Sequence, residues 1–128
     1  MPVIDHLSVG VPVLQPAIGF YDGLFETIGV KRLATSDAFA AYGVDAPAFL
    51  LMPPYDGKAP SAGNGVHIAF GAPSKDAVDA FHQHAVNNGG ACEGAPGPRD
   101  GYPMDVYTAY VRDPFGNKLE VIFNGFGA

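Results

Sequence analysis

His6-Leu7-Ser8-Val9-Gly10-Val11-Pro12, near the start of the chain, is answered by His67-Ile68-Ala69-Phe70-Gly71-Ala72-Pro73 near its middle. The two heptads carry histidine, glycine and proline at the same three places. The same offset lays Phe20 on Phe81 and Gly29 on Gly90. Matches at a strand opening, a strand end, a helix face and a helix end mark an internal duplication, which has to be read before anything else about the fold.

Both heptads alternate with period two, as strands do. Leu7, Val9 and Val11 share one face, and Ile68 and Phe70 share the matching one. The opposite faces carry His6, Ser8 and Gly10, and His67, Ala69 and Gly71. The greasy face is expected to pack on helices, and the face of histidine and small residues leaves room for a molecule to approach the imidazole. Helical periodicity follows each strand: Ala17, Phe20, Tyr21 and Leu24 form one stripe, and Ala77, Val78, Phe81 and Ala85 the other. Ser74 reads as an N-cap and Gly89-Gly90 as a helix stop. Strand-like runs come next, at 30–35, 39–44 and 48–52 in the first half and at 91–94, 106–111 and 118–123 in the second. The chain therefore reads as a single α+β domain, 1–128, of two βαβββ modules, about 3–55 and about 64–124. The polar, proline-rich stretch 53–65 joins them or covers a site, and 94–103 is a second loop.

Composition narrows the function. Seven Lys and Arg stand against 13 Asp and Glu, for a net charge of −6, and the basic residues are scattered. Nucleic acid and anionic membranes are therefore not expected partners, since both recruit clustered cations. The one cysteine, Cys92, rules out an intrachain disulfide and is expected to be an inert, partly buried thiol. The opening residues do not read as a leader and no apolar run reaches membrane length, so a cytoplasmic location is expected.

The strand Lys118-Leu119-Glu120-Val121-Ile122-Phe123 puts a carboxylate among apolar neighbours. Burying it costs free energy unless it is paired or binds an ion. Two strand histidines and one carboxylate, His6, His67 and Glu120, make an open site for a divalent metal ion such as Fe, Mn, Ni, Co or Zn. Their unfilled positions accept water or substrate.

Three segments, Asp5-His6-Leu7, Gly65-Val66-His67-Ile68-Ala69-Phe70 and Val111-Arg112-Asp113-Pro114-Phe115-Gly116-Asn117-Lys118-Leu119-Glu120, together resemble the vicinal oxygen chelate superfamily. That superfamily includes glyoxalase I, extradiol dioxygenases, fosfomycin-resistance transferases and bleomycin-resistance proteins, and the chain looks most like its uncharacterised glyoxalase-like branch. The resemblance implies paired modules forming a cupped mixed sheet, metal ligands at His6, His67 and Glu120, and a homodimer. It implies an enzyme of lyase (lactoylglutathione lyase-like), isomerase or dioxygenase type. Such an enzyme acts on a small oxygen-bearing substrate, with Glu120 as base and Tyr110 as hydrogen-bond donor. Three departures qualify it. The strand 48–52 lacks the fourth, carboxylate ligand of glyoxalase I. Gly101 and Tyr102 stand where a dioxygenase has its acid–base histidine. Only Arg99 and Arg112 are at hand for a phosphonate. The alternative function is a drug- or small-molecule-binding protein of bleomycin-resistance type with a degenerate metal site. Its groove would be lined by Phe39, Tyr42, Phe49, Tyr55, Tyr102 and Phe115. Of the remaining residues, His82 and His84 are expected in solvent, Tyr107 against the core, Arg99 and Asp100 on the surface, and Asp113 to Asn117 in a structural hairpin.

Overall fold

The structure, a computed structural model, describes residues 2–128. Its elements run β1 (Leu7–Gly10), α1 (Leu14–Glu26), β2 (Lys31–Thr35), β3 (Ala40–Gly43), β4 (Pro47–Met52), β5 (Ile68–Gly71), α2 (Lys75–Asn87), β6 (Ala91–Pro98), β7 (Tyr107–Arg112) and β8 (Lys118–Phe123). Each module forms its own four-stranded mixed sheet, ordered β1-β4-β3-β2 and β5-β8-β7-β6. In each sheet the first strand pairs in parallel with the last, and the other pairs are antiparallel. The fold is thus the α+β arrangement of two βαβββ modules that the heptads imply. The strands themselves begin one residue after the histidines, at Leu7 and Ile68.

The greasy faces behave as their periodicity demands. The four-residue stripes of both helices are buried, and Leu7, Val9, Ile68 and Phe70 pack against them. One aromatic cluster joins the modules. Phe70 of β5 has its ring centroid 5.0 Å from Phe25, 5.2 Å from Phe49 and 6.2 Å from Phe81. The Ser74 hydroxyl caps α2 by accepting from the Ala77 amide at 3.1 Å. Helix α2 is followed, two residues past its end, by Gly89, which has φ +95°, a left-handed conformation that favours glycine.

Several local expectations need correction. His84 is not in solvent: its Nε2 lies 3.0 Å from the Phe20 carbonyl oxygen, tying α2 to α1. The helices meet so closely there that a Cβ on Gly23 would lie 2.3 Å from the His84 ring. His82 Nε2 is buried without a partner, and burial holds its pKa below the usual imidazole value. Tyr42 and Phe49 are buried in the core between α1 and its sheet, and both border a small cavity of about 320 Å³ with Phe25, Ile68 and Phe70 rather than an open groove with Tyr102. Cys92 is exposed, because β6 runs at the sheet edge and extends through residues read as loop.

The hairpin Asp113-Pro114-Phe115-Gly116-Asn117 does more than turn the chain. Asp113 is buried and accepts four hydrogen bonds. Two come from the Phe115 and Asn117 amides and one from the Asn117 side chain, each at 2.9 Å. The fourth comes from Tyr21 of α1, at 2.5 Å. Asn117 Nδ2 also donates to the Gly10 carbonyl at 3.1 Å. A turn of module two is thereby latched to the helix and first strand of module one. Among the described residues no helix is long and apolar enough to cross a membrane.

Candidate functional site

Glu120 sits in β8 with Ala69 of β5 on one side and Tyr110 of β7 on the other, all in register. Strand alternation turns this row away from the helices, whose side is taken by Leu119 and Val121. The row lies at a cavity of about 750 Å³. The small side chains of Ala69 and Gly71 keep its floor open beside His67, as the alternation of the second heptad requires. Tyr102 and the segment Asn124 to Ala128 wall the far side, where the rings of Tyr102 and Phe126 lie 5.7 Å apart.

Glu120 is only 3% exposed, and its two oxygens have different neighbours. Oε1 lies 3.1 Å from Nε2 of His67, and Oε2 accepts from the Thr108 hydroxyl at 2.6 Å. His67 is half-exposed to the cavity. Tyr110 places its ring centroid 5.8 Å from that of His67, and its hydroxyl lies 3.4 Å from that of Tyr102. Burial first, then the Tyr102 hydrogen bond and the Glu120 charge, push the Tyr110 phenol well above its ordinary pKa. It therefore stays protonated and able to donate. Lys118 Nζ stands 5.4 Å from the centre of the Tyr110 ring, close enough for a cation–π contact.

Of the three expected ligands, the structure brings together His67 and Glu120, with Tyr110 beside them. His6 lies apart from them: its Nδ1 is 2.6 Å from Asp5 Oδ1, and its side chain is 56% exposed. Among the described residues, no three His, Cys, Asp or Glu side chains are gathered closely enough to hold an ion. The chain thus supplies an imidazole and a buried carboxylate at a cavity. Those donors fit part of the coordination shell of a divalent ion and leave its remaining positions to other groups.

The duplicated register explains what module one lacks. Phe49 pairs with Leu7 as Leu119 pairs with Ile68, so Leu50 occupies the place of Glu120. Ala41, opposite Leu50, occupies the place of Tyr110, opposite Glu120. Module one therefore offers an apolar row where module two offers a carboxylate and a phenol. Its face is also covered by the connecting segment, since a Cβ on Gly10 would come within 2.9 Å of Pro60. The two arginines are occupied elsewhere. Arg99 donates to the carbonyls of Ala95, Gly97 and Pro98, and Arg112 to Glu93 and the Gly116 carbonyl. Neither guanidinium lines the cavity, so neither is placed to meet a phosphonate there. Sequence reading missed Thr108, although its place two residues before Tyr110 on the same strand face was a usable signal. It named Tyr102 for a groove but missed Phe126, its partner in the cavity wall, which no local pattern announces.

Residues 3–121 match the model of the Glyoxalase/Bleomycin resistance protein/Dioxygenase superfamily. Among solved structures, the chain is similar to a glyoxalase/bleomycin resistance protein from Albidiferax ferrireducens T118, at 36% identity and TM-score 0.90. That match covers 96% of this chain and all of the other. A glyoxalase-related enzyme from Fulvimarina pelagi shares the fold at 18% identity and TM-score 0.73, over 97% of this chain and 89% of its own. A glyoxalase I variant from Zea mays shares it at 24% identity and TM-score 0.68. The match covers 93% of this chain but 45% of the maize protein. None of the curated proteins matches the chain.

Proposed function

The chain belongs to the Glyoxalase/Bleomycin resistance protein/Dioxygenase superfamily, and from that premise we propose that it is a divalent-metal-dependent enzyme acting on a small, oxygen-bearing organic substrate. The observation that carries the reading is the buried Glu120 carboxylate beside His67 at the floor of the cavity. A carboxylate so placed is costly to fold around, and an ion would offset that cost. His67 and Glu120 would hold the ion, with His6 of a second copy of the chain as the third donor in a homodimer. Asp5 supports that role for His6, because an imidazole whose Nδ1 bonds a carboxylate presents its Nε2 outward.

A divalent ion bound there supplies Lewis acidity toward two substrate oxygens, such as a hydroxyl and a carbonyl. The chain's own residues do the rest. Glu120 would leave the ion in part to accept a proton from the substrate at Oε1, the oxygen next to His67. Tyr110, kept protonated, donates a hydrogen bond to a substrate oxygen. Tyr102 and Phe126 give the cavity an aromatic wall. With neither Arg99 nor Arg112 at the cavity, the substrate class is a carbonyl or hydroxyl compound rather than a phosphonate.

The test is metal analysis of the purified protein, followed by thermal shifts with Ni, Mn, Fe(II) and Zn on wild type, His67→Ala and His6→Ala. Specific uptake lost in both variants, with a dimeric mass in light scattering, is the expected outcome. Uptake by His67→Ala equal to wild type would sink the reading.

A second reading is favoured by Leu50 standing where Glu120 has its counterpart. On it, the chain is a small-molecule-binding protein with a degenerate ion site. Stabilisation by an organic ligand with no effect of any ion would select it.

A further inference from the structure

Thr108 is fully buried in β7, two pairs along from the Tyr110–Glu120 row, on the same face, and opposite Ile122. Its hydroxyl oxygen lies 2.6 Å from Glu120 Oε2 and 2.8 Å from the Val121 carbonyl oxygen. A hydroxyl has one proton to donate. The ionised carboxylate is the stronger acceptor and draws it. We propose that Thr108 is a positioning residue for the candidate ion site, holding Glu120 Oε2 so that Oε1 is the oxygen offered beside His67. The inference deepens the proposed function and rests on it.

Three observations support the assignment. The Val121 carbonyl alone would satisfy the Thr108 hydroxyl, so the sheet does not need the contact with Glu120. Threonine is branched at Cβ, which restricts χ1, so its oxygen is a more fixed anchor than a long side chain would be. The duplicated register supplies the third. Continuing the β3–β4 pairing by one residue sets Phe39 where module two has Thr108, and Leu50 where it has Glu120. The module without the carboxylate is also the module without the hydroxyl. A hydroxyl needed only for packing would have no reason to be absent together with its acceptor.

The test compares Thr108→Val, which keeps the shape and removes the hydroxyl, with Thr108→Ser, which keeps the hydroxyl. Mn and Ni binding is measured by calorimetry, and each ion-free protein is melted in parallel. Loss of a hydrogen bond that orients a ligand costs about 10- to 100-fold in metal affinity. Thr108→Val is expected to weaken binding at least about tenfold, and Thr108→Ser to restore it to near the wild-type value. A merely structural threonine would instead separate the variants by melting temperature and leave their ion affinities alike. Wild-type affinity in Thr108→Val, or equal loss in the serine variant, overturns the proposal while the ion site stands. No specific binding by wild type overturns both. Should Thr108→Val fail to fold, Thr108→Ala against Thr108→Ser carries the same comparison.

Discussion

Removing one oxygen atom, in Tyr21→Phe, tests whether the Asp113 hairpin holds the two modules together. The ring would stay in place, since it packs against Phe25 at 5.5 Å and Phe49 at 5.4 Å between centroids. Only the bond to Asp113 Oδ2 is lost. Asp113 then keeps three of its four donors, the two amides and the Asn117 side chain. The cost is therefore that of one hydrogen bond to a charged group, about 1.5–3 kcal/mol. It is less than the ~3–5 kcal/mol of stranding a buried charge without a partner. For a chain of this size about 2 kcal/mol corresponds to a fall in Tm of roughly 6–10 °C. The assay is urea unfolding followed by far-UV circular dichroism, because the chain has no tryptophan to report by fluorescence. The midpoint should fall with m unchanged. A double-mutant cycle with Asp113→Asn should return a coupling between the two sites of about 1 kcal/mol or more. A Tyr21→Phe loss below about 0.5 kcal/mol, the range of an unremarkable surface change, would refute the latch.

Two further outcomes follow from the same contacts. Glu120→Leu installs in module two the residue that module one carries at the equivalent place, and Thr108 retains the Val121 carbonyl. Without added ions its stability should be unchanged or raised by about 1–4 kcal/mol, while ion uptake disappears; a loss above about 1 kcal/mol in urea unfolding would show that Glu120 supports folding itself. Tyr21, Tyr42 and Tyr110 all have phenols raised above their ordinary pKa, with burial the largest cause in each. Their folded-state pKa values exceed the unfolded value of about 10, so their stabilisation is complete below that pH and is lost as pH rises beyond it. Phenolate absorbance for the fully buried Tyr21 and Tyr42 should appear together with the loss of helical circular dichroism, and their earlier, independent ionisation would contradict that burial; Tyr110, at the cavity, is free to ionise in the folded chain.

Much of the architecture was legible along the chain because strand and helix periods are local properties. The paired heptads located β1 and β5, the stripe of α2 was read residue for residue, and that of α1 was read at four of its seven buried positions. His67 and Glu120 were both placed by alternation, and the structure brings them within 3.1 Å. Tyr110 came from the family resemblance, and alternation carried two residues back from it would have found Thr108 too. The glycine- and proline-rich run after residue 94 was misread as loop, because an exposed edge strand lacks the apolar alternation that marks a half-buried one.

What the sequence by itself determined is the duplication, the alternating faces and the donors each face carries, since each depends on neighbours one to four residues away. Only the tertiary structure decided which donors meet. Tyr21 and Asp113 lie 92 positions apart, and Thr108 and Glu120 meet through strand register rather than spacing. Register also identifies Leu50 as the counterpart of Glu120, which an offset of whole segments does not, because the loops between the strands differ in length. His6 and His67 match in sequence, yet one is paired with Asp5 in solvent and the other with Glu120 at a cavity. The difference is physical. A strand's local pattern sets the direction of a side chain, while the packing of one module on the other sets what that side chain faces.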